Sequence, residues 1–383
     1  MILVFAGVAT VFLAMTLVTL WHLRWVRRLP PLDEPPHGSP PSERPIRCSV
    51  VIAARDEEAR IEQTLRRLLA QRGVDLEIIV VDDRSKDRTG EILRGLAQED
   101  SRIRVKRVEG LPEGWLGKCH ACHVGASAAT GDWILFTDAD CWLKPDVVAR
   151  AVRLAERDAI DHVALASGVS SANSGLRASH LLFLMATADW FSGTNRDSGK
   201  RHLGFGAFNL VRAAAYRECG GYEALRLTVL DDVKLGLLLK RAGRRTRAFM
   251  GGDDVEAHWG TSAFSIVKIM EKNYFAAVEY RTWIVVAGTI SMAAFSAVFI
   301  LGLLSGTTAG LAAALSPLSS ILPGVVVARR LRWSAFNALL IPLLIPVFNY
   351  ALVNSAFVTL RHGGIRWRET FYPIEELRAG GVK

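Results

Sequence analysis

Uncharged runs, short β-branched runs and amphipathic stretches alternate along this chain, and each predicts a different element. Three runs are wholly uncharged, at residues 2–21, 283–328 and 334–360. A helix rises about 1.5 Å per residue, so about twenty residues cover the roughly 30 Å of a bilayer's hydrocarbon layer. The first run therefore predicts a membrane span. The second, at 46 residues, is long enough for two, with a break near residues 305–308. In the third, Pro342 and Pro346 would kink or break a helix.

From Ile46 to about His258 the pattern changes to that of an α/β domain. Residues 47–53, 76–81, 103–108 and 132–136 predict strands. Residues 58–71 place Ile61, Leu65, Leu68 and Leu69 on one helical face, and 87–98 and 119–129 also predict helices. No repeat at a solenoid or propeller period is visible. The expected division is a transmembrane anchor at 1–28, a stiff Pro-rich linker at 29–45 that would space the domain from the bilayer, and an α/β domain at 46–258. An interfacial amphipathic segment at 259–282, a transmembrane region of about three hydrophobic segments at 283–360 and a basic tail at 361–383 complete it.

Composition narrows the class. With 50% hydrophobic and 22% charged residues among 383, a wholly soluble or disordered protein is not expected. A net charge of +9 suits nucleic acid or an anionic membrane; the apolar runs favour the membrane, and no nucleic-acid partner is expected. Five scattered cysteines, an odd number, point to reduced thiols in the cytoplasm. Arg24, Arg27 and Arg28 follow the first apolar run, whereas a secretory signal has its basic residues in front. The positive flank predicts a multi-pass protein of the inner (plasma) membrane with its α/β domain in the cytoplasm. Arg329, Arg330 and Arg332 precede the last run, and Arg361, Arg366 and Arg368 follow it. Both clusters cannot be cytoplasmic around one simple crossing; a re-entrant segment is one solution.

Carboxylates gather where strands are predicted to end. Asp82 and Asp83 close one strand, and Asp138-Ala139-Asp140 follow another. In open parallel sheets ligands bind beyond the carboxyl ends of strands. Residues two apart in an extended segment point the same way, so Asp138 and Asp140 can face one hard cation, Mg²⁺ or Mn²⁺. Each pair alone also reads as a turn former or a cap. Their coincidence on one rim favours a cation bridged to a diphosphate, with Lys118 adding a point charge.

The motifs VIAARDEEARIEQTL, IIVVDDRSKDRTGEIL, LPEGWLGKCHA, GDWILFTDAD, GFGAFNLVRAAAYRECGGYEALRLTVLDDVKLGLLLKRAG and GGIRWRETFYP occur in that order. Together they resemble family 2 glycosyltransferases over almost the whole chain, in particular membrane-bound bacterial types that include hopanoid- and carotenoid-associated enzymes. The resemblance implies a GT-A fold, a Rossmann-like nucleotide-diphospho-sugar transferase domain, flanked by transmembrane helices. It implies that Ala54, Arg55, Glu57 and Asp83 line the nucleotide pocket with Asp82 beside them, and that Asp138 meets the donor's diphosphate; Lys118, from its charge, is expected to contact the same phosphates. Asp138 and Asp140 match the family's metal-binding triplet. Asp231 and Asp232 fall where the family usually has Glu-Asp, and Asp232 matches the general base. The implied reaction is an inverting transfer from a nucleotide-diphosphate sugar. Anchors on both sides of the domain point to a lipid or lipid-linked hydroxyl as acceptor. A processive polysaccharide synthase, or a non-catalytic membrane protein that binds a nucleotide sugar, are the alternatives.

Three further signals are given plainer readings. Cys119-His120-Ala121-Cys122-His123 fits the pattern for haem attachment, but a buried helix face is expected, with no haem. Arg329 to Trp333 spells R-x-x-R-W, resembling a motif of processive synthases, yet its place after a long apolar run predicts a basic flank. Residues 265–281 predict an amphipathic helix on the bilayer surface, interrupted by Glu271, Lys272 and Asn273, with His258 and Trp259 as a surface-anchoring pair ahead of it.

Overall fold

The computed structural model describes residues 1–31 and 45–382, so residues 32–44 of the expected linker lie outside the described residues. Eight strands form one sheet: β1 (Arg47–Ala54), β2 (Asp75–Asp83), β3 (Ile103–Val108), β4 (Trp133–Phe136), β5 (Cys141–Leu143), β6 (His162–Val169), β7 (Asn209–Arg212) and β8 (Thr246–Ala257). Their order is β3-β2-β1-β4-β7-β6-β8-β5. The first four are mutually parallel, and β7 runs antiparallel to β4 and β6. Helices cover both faces, which is why β1 and β2 carry unbroken apolar runs: Val50, Val51, Ile52 and Ile78 to Val81 are all fully buried. The parallel strands place their carboxyl ends, and so the residues that follow Ala54, Asp83 and Phe136, along one edge.

Four apolar stretches have the length and composition of membrane spans: Ile2–Leu23, Thr282–Leu304, Thr308–Arg330 and Ala335–His362. The third is two helices joined by a 3₁₀ turn at Ser316–Ser320 that contains Pro317. The domain is not spaced away from the first helix by the start of the linker. Leu29 N–H donates to the Met250 carbonyl at 3.3 Å, and the Arg150 guanidinium, itself buried, takes the carbonyls of Leu29 and Pro30 at 2.9 Å each.

Two segments differ from their sequence-based expectation. Residues 265–281 are two short helices, Ser265–Ile269 and Tyr274–Ala277, rather than one. The Ser355 hydroxyl donates to the Glu271 carbonyl at 2.6 Å and accepts from Phe275 N–H at 2.9 Å. A foreign hydroxyl thus occupies the place of an i to i+4 backbone bond, and the helix breaks at Lys272. The expected basic tail carries regular structure: β9 (Gly364–Trp367) and β10 (Thr370–Pro373) pair as a hairpin, followed by the helix Ile374–Gly380. Ile365, Tyr372 and Leu377 are buried against the domain.

Candidate active site

The strand edge opens into a cavity of about 230 Å³. Its floor is Ala53 and Ala54 at the end of β1, Arg55 and Glu57 after it, Asp83 at the end of β2, Gly117 and Lys118 of the helix Gly117–Ser127, and Asp138 to Asp140 after β4. Lys272, Trp367, Arg368 and Tyr372 close it from above.

Asp83 is buried and held by both arms of Arg84, at 2.7 and 3.0 Å. Asp82 does not join it. Neighbouring residues on a strand point to opposite faces, so Asp82 turns away, accepts from Ser85 N–H at 3.1 Å and borders a separate depression with Lys86 and Arg88. Only one aspartate of that pair faces the cavity.

Lys118 lies 2.8 Å from Asp138 and 3.7 Å from Asp231. Burial alone would lower its pKa, but Asp138, Asp231 and Asp232 outweigh it and hold the ammonium well above the usual range. The lysine expected to offer a free charge to phosphates is thus already the counterion of two carboxylates. Asp140 has no ion-pair partner among the described residues: burial, then the charge of Asp138, raises its pKa. Burial, then Asp140, pushes Glu57 up to about 7, against an Arg368 contact at 2.9 Å.

Asp138, Asp140 and Cys141 present donor atoms within 4.8 Å of one another. The Cys141 thiol is buried, and burial together with the neighbouring aspartates holds its pKa well above the thiol range. A neutral thiol is a poor ligand for a hard cation. The two carboxylates remain, crowded by Glu57, and this oxygen donor set fits Mg²⁺ or Mn²⁺ with a ligand's oxygens completing the shell.

Asp231 and Asp232 open the helix Asp231–Arg241. Asp231 is buried and accepts from Tyr222 O–H at 2.9 Å. Asp232 is half-buried; its two oxygens accept from Gly206 N–H at 2.7 Å and Val233 N–H at 2.8 Å, which leaves each a lone pair. Burial, then the charge of Asp231, pushes its pKa up to about 6. Gly206 is the spacer between the two acidic groups. Its carbonyl accepts from Asp138 N–H at 3.0 Å, and an Asp138 carboxylate oxygen stands 2.5 Å from where a Cβ would be. Only glycine fits there.

Sequence reasoning missed the roof. The Lys272 ammonium sits 3.8 Å over the Trp367 ring and has no carboxylate within ion-pair distance among the described residues. Burial, reinforced by Lys118, lowers its pKa. Tyr372 O accepts from Gly117 N–H at 3.2 Å, and Glu369 reaches Lys86 at 2.7 Å and Arg55 at 3.4 Å. The available signal was the Arg366-Trp367 pair inside GGIRWRETFYP. The R-x-x-R-W at Arg329 to Trp333 lies elsewhere: Arg330 caps the carbonyl end of the first membrane helix, and Trp333 packs by His180. His258 is not a surface anchor, since its Nδ1–H donates to the Asp140 carbonyl at 2.8 Å and its ring meets Trp142 edge-on. Trp259 packs on His180 and Phe183. Cys119 and Cys122 are buried, whereas His120 and His123 pack on Trp115, so the four do not converge.

The profile described as "Glycosyl transferase family 2" matches residues 49–220, the stretch that holds Asp83, Asp138 and Asp140. The chain is 28% identical over 212 residues to the 4,4'-diaponeurosporenoate glycosyltransferase of Staphylococcus haemolyticus, covering 53% of this chain and 54% of that protein. It is 28% identical over 189 residues to the beta-monoglucosyldiacylglycerol synthase of Trichormus variabilis, covering 49% and 40%. The chain thus spans about half the length of the curated relatives it matches. The mannosyltransferase PcManGT from Pyrobaculum calidifontis, solved in complex with GDP-Man and Mn²⁺, shares the fold at a TM-score of 0.55 and 16% identity, over 94% of this chain and 99% of that one.

Proposed function

We propose that this chain, whose residues 49–220 match the family 2 glycosyltransferase profile on a GT-A-like fold, transfers a sugar from a nucleotide-diphosphate donor to a lipid or lipid-linked hydroxyl, with inversion. The observation that carries this reading is the single cavity shared by Asp83, Asp138, Asp140 and Lys118, with Asp232 one glycine away. The nucleotide lies along Ala54, Arg55, Glu57 and Asp83. Asp138 and Asp140 would hold a divalent cation, Mg²⁺ or Mn²⁺. When bound, such a cation offsets the charge that develops on a departing diphosphate. Lys118 keeps Asp138 and Asp231 fixed, so the carboxylate geometry does not wait on the ligand.

Asp232 takes the proton of the acceptor hydroxyl as that oxygen attacks the anomeric carbon. Asp231, capped by Tyr222 and neutralised by Lys118, is the poorer base. A single displacement from the face opposite the diphosphate inverts the centre. The four apolar helices and the lipid-related names of the relatives support a lipid acceptor, at the cytoplasmic face of the inner membrane, where the basic flanks belong. The position of Arg329 to Trp333, away from the cavity, speaks against a processive synthase.

The test is a donor screen with added Mg²⁺ or Mn²⁺ on membranes holding the full chain, read by mass spectrometry of the lipids. Lipids gaining one sugar are expected; chains of sugars would point to processive extension. Asp232→Asn is expected to abolish transfer while donor binding persists, and retained turnover would remove Asp232 from the role.

A further inference from the structure

Contacts among the first three apolar stretches supply a depth scale. Ile2 and Leu3 share a recess with Ser305 and Thr307 at the end far from the catalytic domain. Midway, the Thr16 and Ser319 hydroxyls meet at 2.7 Å. At the near end Arg330 donates to the carbonyls of Leu23 and Val26, the latter at 2.6 Å. Ile2–Leu23 and Thr308–Arg330 therefore traverse the same thickness in the same sense, from the far end to the near one. Thr282–Leu304 starts at the near end, after Arg281, and delivers the chain to the far one.

The stretch Ala335–His362 does not follow this scale. It begins after Trp333, whose ring lies 5.7 Å from that of His180 in the catalytic domain. Ala338 and Ile341 pack on Gly324, which lies six residues, or about 9 Å, in from Arg330. Farther along, Asn349 sits over Gly288, again six residues, or about 9 Å, in from Thr282. Phe348 meets Tyr274, ring to ring at 6.3 Å, and Ser355 is inserted in the backbone at Glu271 and Phe275. After His362 the chain enters β9, and Arg368 reaches Glu57 in the cavity. Start, middle and end thus all touch the near side, whereas a crossing helix of this length would carry one end roughly 30 Å away.

We propose that Ala335–His362 is not a fourth crossing: it enters and leaves the bilayer on the side of the catalytic domain and lies in that one leaflet. Its outer stripe is Leu339, Leu343, Tyr350, Phe357 and Leu360, exposed by 46–72% and spaced by four, seven, seven and three residues, which is one helical face. The acyl chains of that leaflet cover it. The opposite stripe, with Ile341, Leu344, Ala351, Ser355 and Thr359, is buried against the protein. This arrangement puts all three arginine clusters, around Arg27, Arg330 and Arg366, on one side, as the charge bias of membrane proteins requires. Three crossings remain, so the Ile2 end lies on the face opposite the catalytic domain. The inference is independent of whether a sugar is transferred.

Single cysteines at Ser334 and His362, both exposed, bracket the stretch in the full chain. A membrane-impermeant maleimide is applied to sealed inside-out and right-side-out vesicles. Glu113→Cys in the catalytic domain and Leu304→Cys at the far end serve as references, with the unmodified chain as blank. Ser334→Cys and His362→Cys are expected to label in the same vesicle orientation as Glu113→Cys, and Leu304→Cys in the other. Labelling of the two from opposite orientations would overturn the proposal. Should either end label poorly, a nitroxide on Tyr350→Cys decides by depth. A value near the leaflet's outer third supports the in-leaflet helix, and a value at the bilayer midplane overturns it.

Discussion

Asp83 and Asp138 reach the cavity from the ends of β2 and β4, whereas Lys272, Trp367 and Arg368 reach it from segments that flank membrane helices. The floor is acidic, fixed to strands and braced by Lys118; the roof is cationic and aromatic, held to the floor by Arg368 on Glu57 and by Glu369 on Arg55 and Lys86. On the proposed reaction, floor groups face where charge would develop during sugar transfer. Roof groups face what must enter and leave. The comparison therefore predicts two kinds of variant, one that slows the chemical step and one that weakens donor retention.

The largest effect is expected on the floor. Loss of a general base removes about 10²- to 10⁴-fold in rate, so Asp232→Asn lowers kcat by that factor with the donor's KM nearly unchanged, read by steady-state kinetics on lipid product. On the proposed assignment, the same residue is expected to set the acid limb of the pH profile. Its pKa is raised to about 6 from the carboxylate range by burial and Asp231. The active, ionised form is thus lost as pH falls through about 6 rather than about 4. A rate that stays flat between pH 7 and 5 would assign the base elsewhere.

The roof gives the intermediate effect. A desolvated cation over a tryptophan is worth about 2 kcal/mol, and Trp367→Ala removes both that contact and a wall of the cavity. A KM for donor raised by about tenfold to thirtyfold, with kcat changed far less, is the expected split. A Trp367 variant that instead loses kcat and keeps KM would place the ring at the reacting centre and erase the distinction between floor and roof.

How much of each region was legible follows the same division. Asp83, Asp138, Asp140 and Asp232 could be found because strand ends and a helix start are local features, and their resemblance to a known family is carried by short motifs. Asp82 could not be separated from Asp83 by the motif; strand alternation decides which one faces the cavity. The roof depends on contacts across great sequence separation, with Lys272 and Trp367 ninety-five residues apart and a membrane hairpin between. The break at Lys272 was hidden for a related reason. It is caused by the hydroxyl of Ser355, which no local periodicity reveals. A one-residue change tests this: Ser355→Ala leaves the Glu271 carbonyl and Phe275 N–H free to pair in a continuous helix. Lys272 then rotates away from Trp367, and donor KM rises as in the Trp367 variant.

The smallest effect is expected where the roof's outer rim meets solvent. Lys86 and Glu369 lie 2.7 Å apart, but their side chains are 70% and 61% exposed. Ion pairs in such surroundings contribute about 0–1 kcal/mol and weaken further with salt. Arg55, only 13% exposed in its side chain, holds the same Glu369 from the cavity side at 3.4 Å, so Glu369 keeps one of its two ties, and the hairpin keeps Arg368 on Glu57, when Lys86 is removed. Lys86→Ala should therefore change donor KM by less than about threefold, and the small difference should disappear at high ionic strength. A larger, salt-insensitive change would mean that the rim bears on the donor itself, and the boundary between solvent-screened and enclosed parts of the roof would have to be drawn outside Lys86.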